Sequence, residues 1–298
     1  CLPKIQSMTA STARMPRRPR QIDLGRGRLL QADACAALAA LPAREFACVI
    51  ADPPYFRVLE NEPWDNQWQS EDEYIEWCRE WVGQCARVLT ATGLIFIFGQ
   101  LGKREHAWLH VCSRLCRELQ FHDLLVWDRM VGYNERPDSF TPQYEMILVL
   151  RQRDCDKPYF DKDAVRIPYS EETIAAYMKD KRYKDAARRE AHLRKGKYAT
   201  NILRVPSLKG QGREKVGHPS QKPLALIEML VAAGCPPEAR LLDPFVGSGT
   251  TAVAAERLGR AWLGIERDPG YCALACSRLR RTIAAGPQPP EAEPTARR

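Results

Sequence analysis

Two proline-containing turns, far apart in the chain, constrain its fold more than any other feature. DPPY at 52–55 follows the apolar run 48–51, and DPFVGSGTT at 243–251 follows the apolar pair 241–242. An apolar run that ends in a tight turn indicates a buried strand, and glycines after such a strand are typical of a turn that opens a helix. Both turns are therefore expected at the carboxyl ends of parallel strands, which is the edge where such sheets bind ligands.

The apolar pattern around these turns alternates strands with helices, which predicts an α/β fold with a doubly wound, mostly parallel sheet. Segments 124–127 and 146–150 are joined by a polar loop without a helical pattern, so we expect them to form an antiparallel edge pair. The other expected strands are 28–33, 47–51, 94–98, 241–242 and 261–265, and the expected helices are 35–41, 71–89, 108–119, 223–230, 249–258 and 271–279.

The order of these units has a gap at each end. The last helix, 271–279, should be followed by another strand, and the first strand, 28–33, lacks the unit that normally precedes it. Placing the strand 28–33 beside the strand 261–265 resolves both deficits. We therefore predict one sheet whose N-terminal and C-terminal halves are swapped in sequence.

Composition limits the class of protein. With 298 residues and 45% hydrophobic content, the chain can bury one large core, with or without a small appendage. No apolar run reaches the roughly 20 residues of a membrane span, so we expect a soluble protein. The eleven cysteines are scattered without a Cys-x-x-Cys pair, which favours a reduced, cytoplasmic setting. His106 and His110 can share a helix face, but a third ligand is missing, and we expect no metal site.

The formal net charge is +8, and one stretch holds more than this excess. Residues 179–215 contain thirteen lysines or arginines against four acidic residues, interleaved with tyrosines and glycines. Such a surface suits contact with the phosphates of a nucleic acid. A second basic run lies near the N-terminus, where a disordered tail is the simpler interpretation.

The glycine-rich turn favours a nucleotide-like cofactor. Gly247 and Gly249 let the backbone approach a ligand, and the next helix directs its N-terminus at it. Glu266 follows Asp243 by 23 residues, the spacing at which a carboxylate binds ribose hydroxyls. Ala252 stands where the third glycine or alanine of a dinucleotide fingerprint belongs, so spacing alone leaves nicotinamide dehydrogenases open.

The first turn suits chemistry on an aromatic amine. The Asp52 carboxylate and the Pro53 carbonyl can each accept one amino hydrogen, which frees the nitrogen lone pair. Pro53 and Pro54 stiffen the turn and fix these acceptors. Tyr55 offers a ring on which an extruded base can stack, and this role predicts that Tyr55→Phe is tolerated. The catalytic residues are therefore expected to be Asp52, Pro53, Pro54 and Tyr55.

Together with HPSQKP at 218–223, the two turns resemble the motifs of S-adenosylmethionine-dependent DNA amino-methyltransferases. The order of the turns is similar to that of the circularly permuted beta class, and the resemblance covers residues 28–280. Asp52 resembles the adenine-N6-specific members, found in bacterial restriction–modification or orphan systems, because cytosine-N4 enzymes mostly carry serine there. Phe56 departs from the asparagine of many adenine enzymes.

The resemblance implies transfer of a methyl group from S-adenosylmethionine to adenine N6 in double-stranded DNA, by base flipping and direct in-line transfer. Cytosine-N4 methylation is the alternative, followed by methylation of an RNA base or a protein glutamine, or DNA binding by a degenerate fold. A Pro-Cys-Gln nucleophile, typical of cytosine-C5 enzymes, is missing from the sequence. The implied cofactor site comprises Asp33, Asp52, His218, Lys222, Pro223, Asp243, Pro244, Phe245, Gly247, Ser248, Gly249, Thr250, Glu266 and Arg267.

Within this site, the resemblance assigns Asp33 to the adenine amino group of the cofactor and Lys222 to its methionine carboxylate. The expected organisation is a flexible basic leader (1–26), a catalytic half (27–150), a target-recognition region (151–217), a cofactor-binding half (218–283) and a disordered tail (284–298). DNA contacts are expected from the basic and polar residues Arg129, Asn134, Arg136, Lys179, Lys181, Arg182, Arg188, Arg189, Arg194, Lys195, Lys197, Lys209 and Arg213.

Partners follow from the same resemblance. Related beta-class enzymes are often dimers, and a homodimer is expected here. The tryptophans on segments flanking the sheet exceed what one helix face needs for packing, which favours the same expectation: Trp64, Trp68, Trp77, Trp81 and Trp108. A cognate restriction endonuclease that acts separately is a further implied partner.

Overall fold

The computed structural model describes residues 20–286 apart from 103–105, 134, 136, 181, 183, 209–211 and 213. The described residues form a single sheet of nine strands with helices on both faces. The strands are β1 (Arg20–Leu24), β2 (Gly27–Gln31), β3 (Phe46–Ala51), β4 (Leu89–Gly99), β5 (Gln120–Asp128), β6 (Tyr144–Arg151), β7 (Ile202–Arg204), β8 (Arg240–Asp243) and β9 (Ala261–Glu266).

Eight α-helices and one short 3₁₀ helix (Pro63–Asp65) are described. They are α1 (Ala34–Ala39), α2 (Glu71–Val88), α3 (Ala107–Glu118), α4 (Glu171–Met178), α5 (Ala186–Arg194), α6 (Leu224–Gly234), α7 (Thr250–Arg257) and α8 (Pro269–Ala285). Side-chain caps fix several helix starts; at α2, for example, the Ser70 side chain accepts a hydrogen bond from the Glu73 N–H. None of these helices is both long and apolar enough to cross a membrane.

The strand order across the sheet is β1-β2-β9-β8-β3-β4-β6-β5-β7. The pairs β2–β9, β9–β8, β8–β3 and β3–β4 are parallel. The strand β6 runs antiparallel to both β4 and β5. The predicted pairing of segment 28–33 with segment 261–265 is thus confirmed, since β2 pairs with β9. The mostly parallel sheet and the antiparallel pair of β5 and β6 are confirmed as well.

Two strands lie where the sequence analysis expected none. Segment 20–24 was assigned to the flexible leader, but it forms β1 and pairs antiparallel with β2. The tight turn at 25–26 brings the two strands together, and Gly25 adopts a positive φ of 52° there. Segment 202–204, within the predicted target-recognition region, forms β7 and pairs parallel with β5. The rest of the predicted leader (1–19) and residues 287–298 of the predicted tail lie outside the described residues.

The sheet divides the core into two layers because successive side chains of a strand point to opposite faces. In β3, Cys48 and Ile50 belong to the buried layer that contains α6, α7 and α8, while Val49 and Ala51 belong to the layer that contains α1, α2 and α3. The central strands are apolar on both faces, as expected for strands covered by helices on each side. The ten described cysteines are unpaired thiols. This arrangement leaves the carboxyl ends of β2, β9, β8 and β3 along one edge.

Candidate active site

A cavity of about 800 Å³ opens at the carboxyl ends of β9, β8 and β3. Its wall includes the first turn, the glycine-rich turn and the loop 62–68. Most of the predicted site residues line it: Asp33, Asp52, Pro53, Pro54, His218, Lys222, Asp243, Pro244, Phe245, Gly247, Ser248, Thr250, Glu266 and Arg267. The other predicted catalytic and cofactor residues, Tyr55, Pro223 and Gly249, do not line the cavity. The two turns meet because β3 and β8 are neighbours in the sheet.

Two glycines shape the second turn for different reasons. Gly247 has φ of +49°, and a Cβ atom there would lie 3.0 Å from His218 Nε2. Gly249 has φ of +79°, caps α7 and sits against Ala275, which a Cβ atom would approach to 3.1 Å. A left-handed backbone and close approach both require glycine. Gly249 therefore serves the packing of α7 on α8, while Gly247 faces the cavity.

Three carboxylates stand at the ends of three adjacent strands. Asp33, just after β2, caps α1 by accepting a hydrogen bond from the Ala36 N–H at 3.0 Å. Asp243, at the end of β8, accepts one from the Phe245 N–H at 2.9 Å. Glu266, at the end of β9, accepts from the Gly247 N–H at 2.9 Å and so fixes the glycine-rich turn. Each carboxylate is held by backbone donors while lining the cavity.

Burial changes the acidity of two of these groups. It raises the pKa of Asp243 to about 7, against smaller opposing effects from its hydrogen bonds. Burial also raises the pKa of Glu266, and the backbone N–H groups of Asp268 and Gly247 oppose that shift. The cavity wall thus carries carboxylates that are costly to ionise unless a ligand provides hydrogen-bond donors.

Aromatic side chains form part of the cavity wall beside the glycine-rich turn. The His218 ring packs against Trp64 and Tyr271, with ring centroids 6.2 Å and 4.4 Å away. Burial, together with the Lys222 charge, lowers the pKa of His218 to about 4, so the ring is neutral at pH 7. Its Nδ1 accepts a hydrogen bond from the Ser220 N–H at 3.3 Å. His218 therefore acts as a packed neutral ring at the cavity.

Asp52 of the first turn lies in a compact charged cluster. Its two oxygens are each 2.7 Å from Lys222 Nζ, and the Tyr55 hydroxyl donates to Oδ1 at 2.7 Å. Glu145 Oε2, from the start of β6, is 3.4 Å from Lys222 Nζ and 3.2 Å from the Tyr55 hydroxyl. Arg129 Nη1 bonds the other Glu145 oxygen at 3.0 Å. We call Arg129, Glu145, Lys222, Asp52 and Tyr55 the charged cluster.

The pKa shifts within the charged cluster follow from burial and pairing. Burial raises the pKa of Asp52, Lys222 opposes this, and the Glu145 carboxylate adds to it. Burial alone would lower the pKa of Lys222, but Asp52 and Glu145 outweigh it and hold that pKa above its usual value. Burial and the two carboxylates raise the pKa of Tyr55 well above its usual value. Lys222 is therefore a cation and Tyr55 a hydroxyl donor at neutral pH.

These contacts revise two predicted roles. The Tyr55 ring is buried, at 8% exposure, and its hydroxyl is directed at Asp52 and Glu145. It therefore offers no open face for stacking in this structure, because the short turn points the side chain into the core. Lys222 was assigned to a cofactor carboxylate, but here its ammonium bonds Asp52. Both side chains thus bond the Asp52 carboxylate.

Part of the site was not predicted from the sequence. Glu145 was not singled out, since a lone acidic residue at the start of an apolar strand is usually solvated. The cavity wall also includes Trp64, Trp68, Trp77, Gln67 and Tyr271. The clustering of tryptophans between 64 and 81 was a usable signal, but it was interpreted as a dimer surface. In this structure Trp68, Trp81 and Trp108 are buried, and Trp64 and Trp77 line the cavity, so these tryptophans do not support the expected dimer.

The predicted DNA contacts fall into three groups. Arg129 is buried and paired with Glu145, so its assignment to DNA is wrong for this structure. Asn134, Arg136, Lys181, Lys209 and Arg213 lie outside the described residues. The others lie on or near α4 and α5, where all but the partly buried Arg189 are exposed: Lys179, Arg182, Arg188, Arg194, Lys195 and Lys197.

Comparison with known proteins identifies the class of site. The profile of the N6/N4 DNA methylase family matches residues 46–277. The Type II methyltransferase M.ScaI of Streptomyces caespitosus is 30% identical over 260 residues, covering 84% of this chain and 80% of its own. The DNA adenine methyltransferase YhdJ of Escherichia coli K12 is 28% identical over 255 residues, covering 84% and 82%.

Solved structures share the fold. The cytosine-N4-specific PvuII DNA methyltransferase superimposes with a TM-score of 0.64 at 17% identity, covering 88% of this chain and 91% of its own. The M1.HpyAVI–SAM complex superimposes with a TM-score of 0.54 at 23% identity, covering 85% and 98%. The family profile covers most of the chain, and the fold and the meeting of the two turns are consistent with that match. The chain belongs to the N6/N4 DNA methylase family.

Proposed function

We propose that the protein transfers a methyl group from S-adenosylmethionine to the exocyclic N6 of adenine in double-stranded DNA. One observation carries the proposal: the Asp52 carboxylate and the glycine-rich turn share the wall of one cavity. A hydrogen-bond acceptor for an amine and a turn suited to a nucleoside ligand therefore lie within one reaction space. This is the arrangement that in-line transfer to a nitrogen requires.

The cavity residues fit S-adenosylmethionine. Asp243, Glu266 and Asp33 present carboxylates able to accept hydrogen bonds from ribose and amino groups, and Phe245 and Trp77 offer faces for an adenine ring. The raised pKa values of Asp243 and Glu266 favour a ligand that brings its own hydrogen-bond donors. When bound, the cofactor supplies a sulfonium methyl that is already electrophilic. The residues of the first turn then need only orient and activate the nitrogen.

Asp52 and the first turn perform this activation. The Asp52 carboxylate accepts one amino hydrogen and the Pro53 carbonyl the other, which keeps the nitrogen lone pair out of the ring system. The turn is held rigidly, since Tyr74 donates its hydroxyl hydrogen to the Pro54 carbonyl at 3.0 Å. A base inside a duplex cannot reach this position, so the target nucleotide must be flipped out.

Adenine is proposed over cytosine because Asp52 occupies the acceptor position of the first turn. A relative described as a DNA adenine methyltransferase supports this, and the fold neighbour described as cytosine-N4-specific makes cytosine N4 the second candidate. Both reactions use the same acceptors for the hydrogens of an exocyclic amine.

We further propose that the chain belongs to the circularly permuted beta class, because its catalytic turn precedes its cofactor turn in sequence.

Duplex DNA is proposed to lie against residues 151–217. Helices α4 and α5 expose basic side chains, and the loop between β5 and β6 emerges beside the charged cluster. Lys179, Arg188, Lys195 and Lys197 are proposed to contact phosphates, which supplies affinity independent of sequence.

The homodimer is also retained as a proposal. Light scattering tests it, because a mass near 33.9 kDa that is unchanged by DNA would exclude the dimer.

Nucleoside analysis tests the reaction directly. The protein is incubated with duplex DNA and S-adenosylmethionine labelled in the methyl group, and the DNA is digested to nucleosides. Label in N6-methyladenine is the expected result, and label only in N4-methylcytosine supports the second candidate. Asp52→Ala should abolish transfer while retaining cofactor binding. The proposal fails if neither nucleoside carries label or if Asp52→Ala retains full activity.

A further inference from the structure

Four charged side chains from four parts of the chain form a row that ends at Asp52. Arg129 follows β5, Glu145 begins β6, Lys222 precedes α6 and Asp52 follows β3. Consecutive members are 3.0 Å, 3.4 Å and 2.7 Å apart, measured between their nitrogen and oxygen atoms. The side chains of Arg129, Glu145 and Lys222 are 10%, 8% and 6% exposed, so water does little to screen this row.

In the present arrangement the acceptor atoms of Asp52 are occupied. Lys222 Nζ bonds both carboxylate oxygens, and the Tyr55 hydroxyl donates to one of them. The proposed function requires one of these oxygens to accept a hydrogen from the substrate amine. An ionised carboxylate has about four acceptor sites, and the internal donors make three contacts with Asp52, so an incoming amine competes with Lys222 and Tyr55 for these oxygens.

Glu145 is the group to which these donors can turn. Its Oε2 lies 3.2 Å from the Tyr55 hydroxyl and 3.4 Å from Lys222 Nζ. The Tyr55 hydroxyl has a single hydrogen, which it can give to either carboxylate but not to both at once. Lys222 has three N–H donors and already lies between the two carboxylates. A small displacement therefore transfers each donor from Asp52 to Glu145 without leaving a buried charge unpaired.

We propose that Glu145 is a positioning residue that receives the Lys222 ammonium and the Tyr55 hydroxyl hydrogen when Asp52 engages the substrate amine. The inference rests on the proposed function of Asp52. No proton is transferred in this step, because only the hydrogen-bond acceptors change. Arg129 is the fixed end of the row because it pairs with the other oxygen of Glu145 and stacks on the Tyr133 ring, 4.2 Å from the centroid.

The exchange explains why two carboxylates are kept close together beside one lysine. Bringing like charges together is unfavourable, and burial adds to that cost. With Glu145 absent, Lys222 would have Asp52 as its one carboxylate partner among the described residues. It would then hold Asp52 permanently and compete with the amine. Glu145 therefore keeps the catalytic acceptor available.

Glu145→Gln tests the proposal because glutamine keeps the size of the side chain and removes its charge. We expect the single-turnover rate constant for methylation to fall by about tenfold or more, equivalent to about 1.4 kcal/mol of barrier. Dissociation constants for S-adenosylmethionine, by tryptophan fluorescence, and for duplex DNA, by anisotropy, should change by less than about twofold. Glu145→Asp, which restores the charge, should recover part of the rate. Glu118→Gln, on the surface of α3, is the matched control.

The pH profile separates a positioning role from a purely structural one. The groups that act on Asp52 are Tyr55 on its own turn, Lys222 before α6 and Glu145 on β6, with Asp243 and Asp65 farther away. Because Glu145 raises the pKa of Asp52, Glu145→Gln should move the acid limb of the rate profile to lower pH while lowering the plateau. An unchanged rate constant overturns the proposal. A reduced rate with an unmoved acid limb and a lower melting temperature also overturns it.

Failure of this inference is distinguishable from failure of the proposed function. If wild-type protein transfers no methyl group to DNA, both fail. If wild-type protein methylates DNA in an Asp52-dependent way and Glu145→Gln does so equally well, the role of Glu145 alone is refuted.

Discussion

Lys222→Met should destabilise the protein in a pH-dependent way. The substitution keeps most of the side-chain volume but leaves Asp52 and Glu145 with Arg129 as the single cation of the charged cluster. Removing one partner of a buried ion pair costs about 3–5 kcal/mol. The Asp52 side chain is 23% exposed to the cavity, so we expect the lower end, about 3 kcal/mol at pH 8.

The sign of the pH dependence follows from the raised pKa of Asp52. A carboxyl whose folded-state pKa is raised gives most stability below its ordinary value and loses it as pH rises through the folded-state pKa. Lys222 now opposes that rise, so its removal raises the pKa further. The difference in unfolding free energy between wild type and Lys222→Met should therefore be small near about pH 5 and grow toward about pH 8.

Equilibrium urea unfolding, followed by tryptophan fluorescence across this pH range, measures the difference. The double variant Asp52→Asn/Lys222→Met restores the balance of charge and should recover most of the lost stability. Lys195→Met, at the exposed C-terminal cap of α5, is the matched control and should be neutral. A destabilisation of equal size at every pH, or no recovery in the double variant, would refute the reasoning.

Three further outcomes are expected. Tyr55→Phe removes a buried donor to Asp52 at 2.7 Å, and urea unfolding should show a loss of about 1.5–3 kcal/mol, the range for a hydrogen bond to a charged group; unchanged stability would contradict this. Asp243→Asn should raise the melting temperature relative to wild type increasingly between about pH 4 and about pH 7, because a pKa raised to about 7 makes ionisation costly in the folded state; a pH-independent difference would contradict this. Lys195→Ala should lower the salt slope of DNA binding by about one without changing the methylated sequence, which anisotropy titrations and sequencing of modified bases can check.

The sequence determined the fold because its signals are local and periodic. Apolar runs such as 48–51, continuous rather than alternating, indicate strands buried on both faces, and the turns after them place the site at the carboxyl edge. The pairing of β2 with β9 also followed from the sequence, because segment 28–33 lacked a preceding unit and helix 271–279 lacked a following strand. Strands β1 and β7 were not predicted because short strands at the edge of a sheet carry little apolar pattern.

The contacts that hold the first turn depend on long-range packing. Lys222 and Asp52 are 170 residues apart in sequence, and Tyr55 and Glu145 are 90 apart, yet they form one hydrogen-bonded group. The motif containing Lys222 predicted a cationic group at the cofactor edge, but its partner depends on where β3, β6 and α6 converge. The tryptophans are likewise evident in the sequence. Whether each one lies in the core or in the cavity wall depends on how α2 packs against the loop 62–68. Hydrophobic periodicity reports whether a side chain is buried, whereas the identity of its neighbour is fixed by long-range packing.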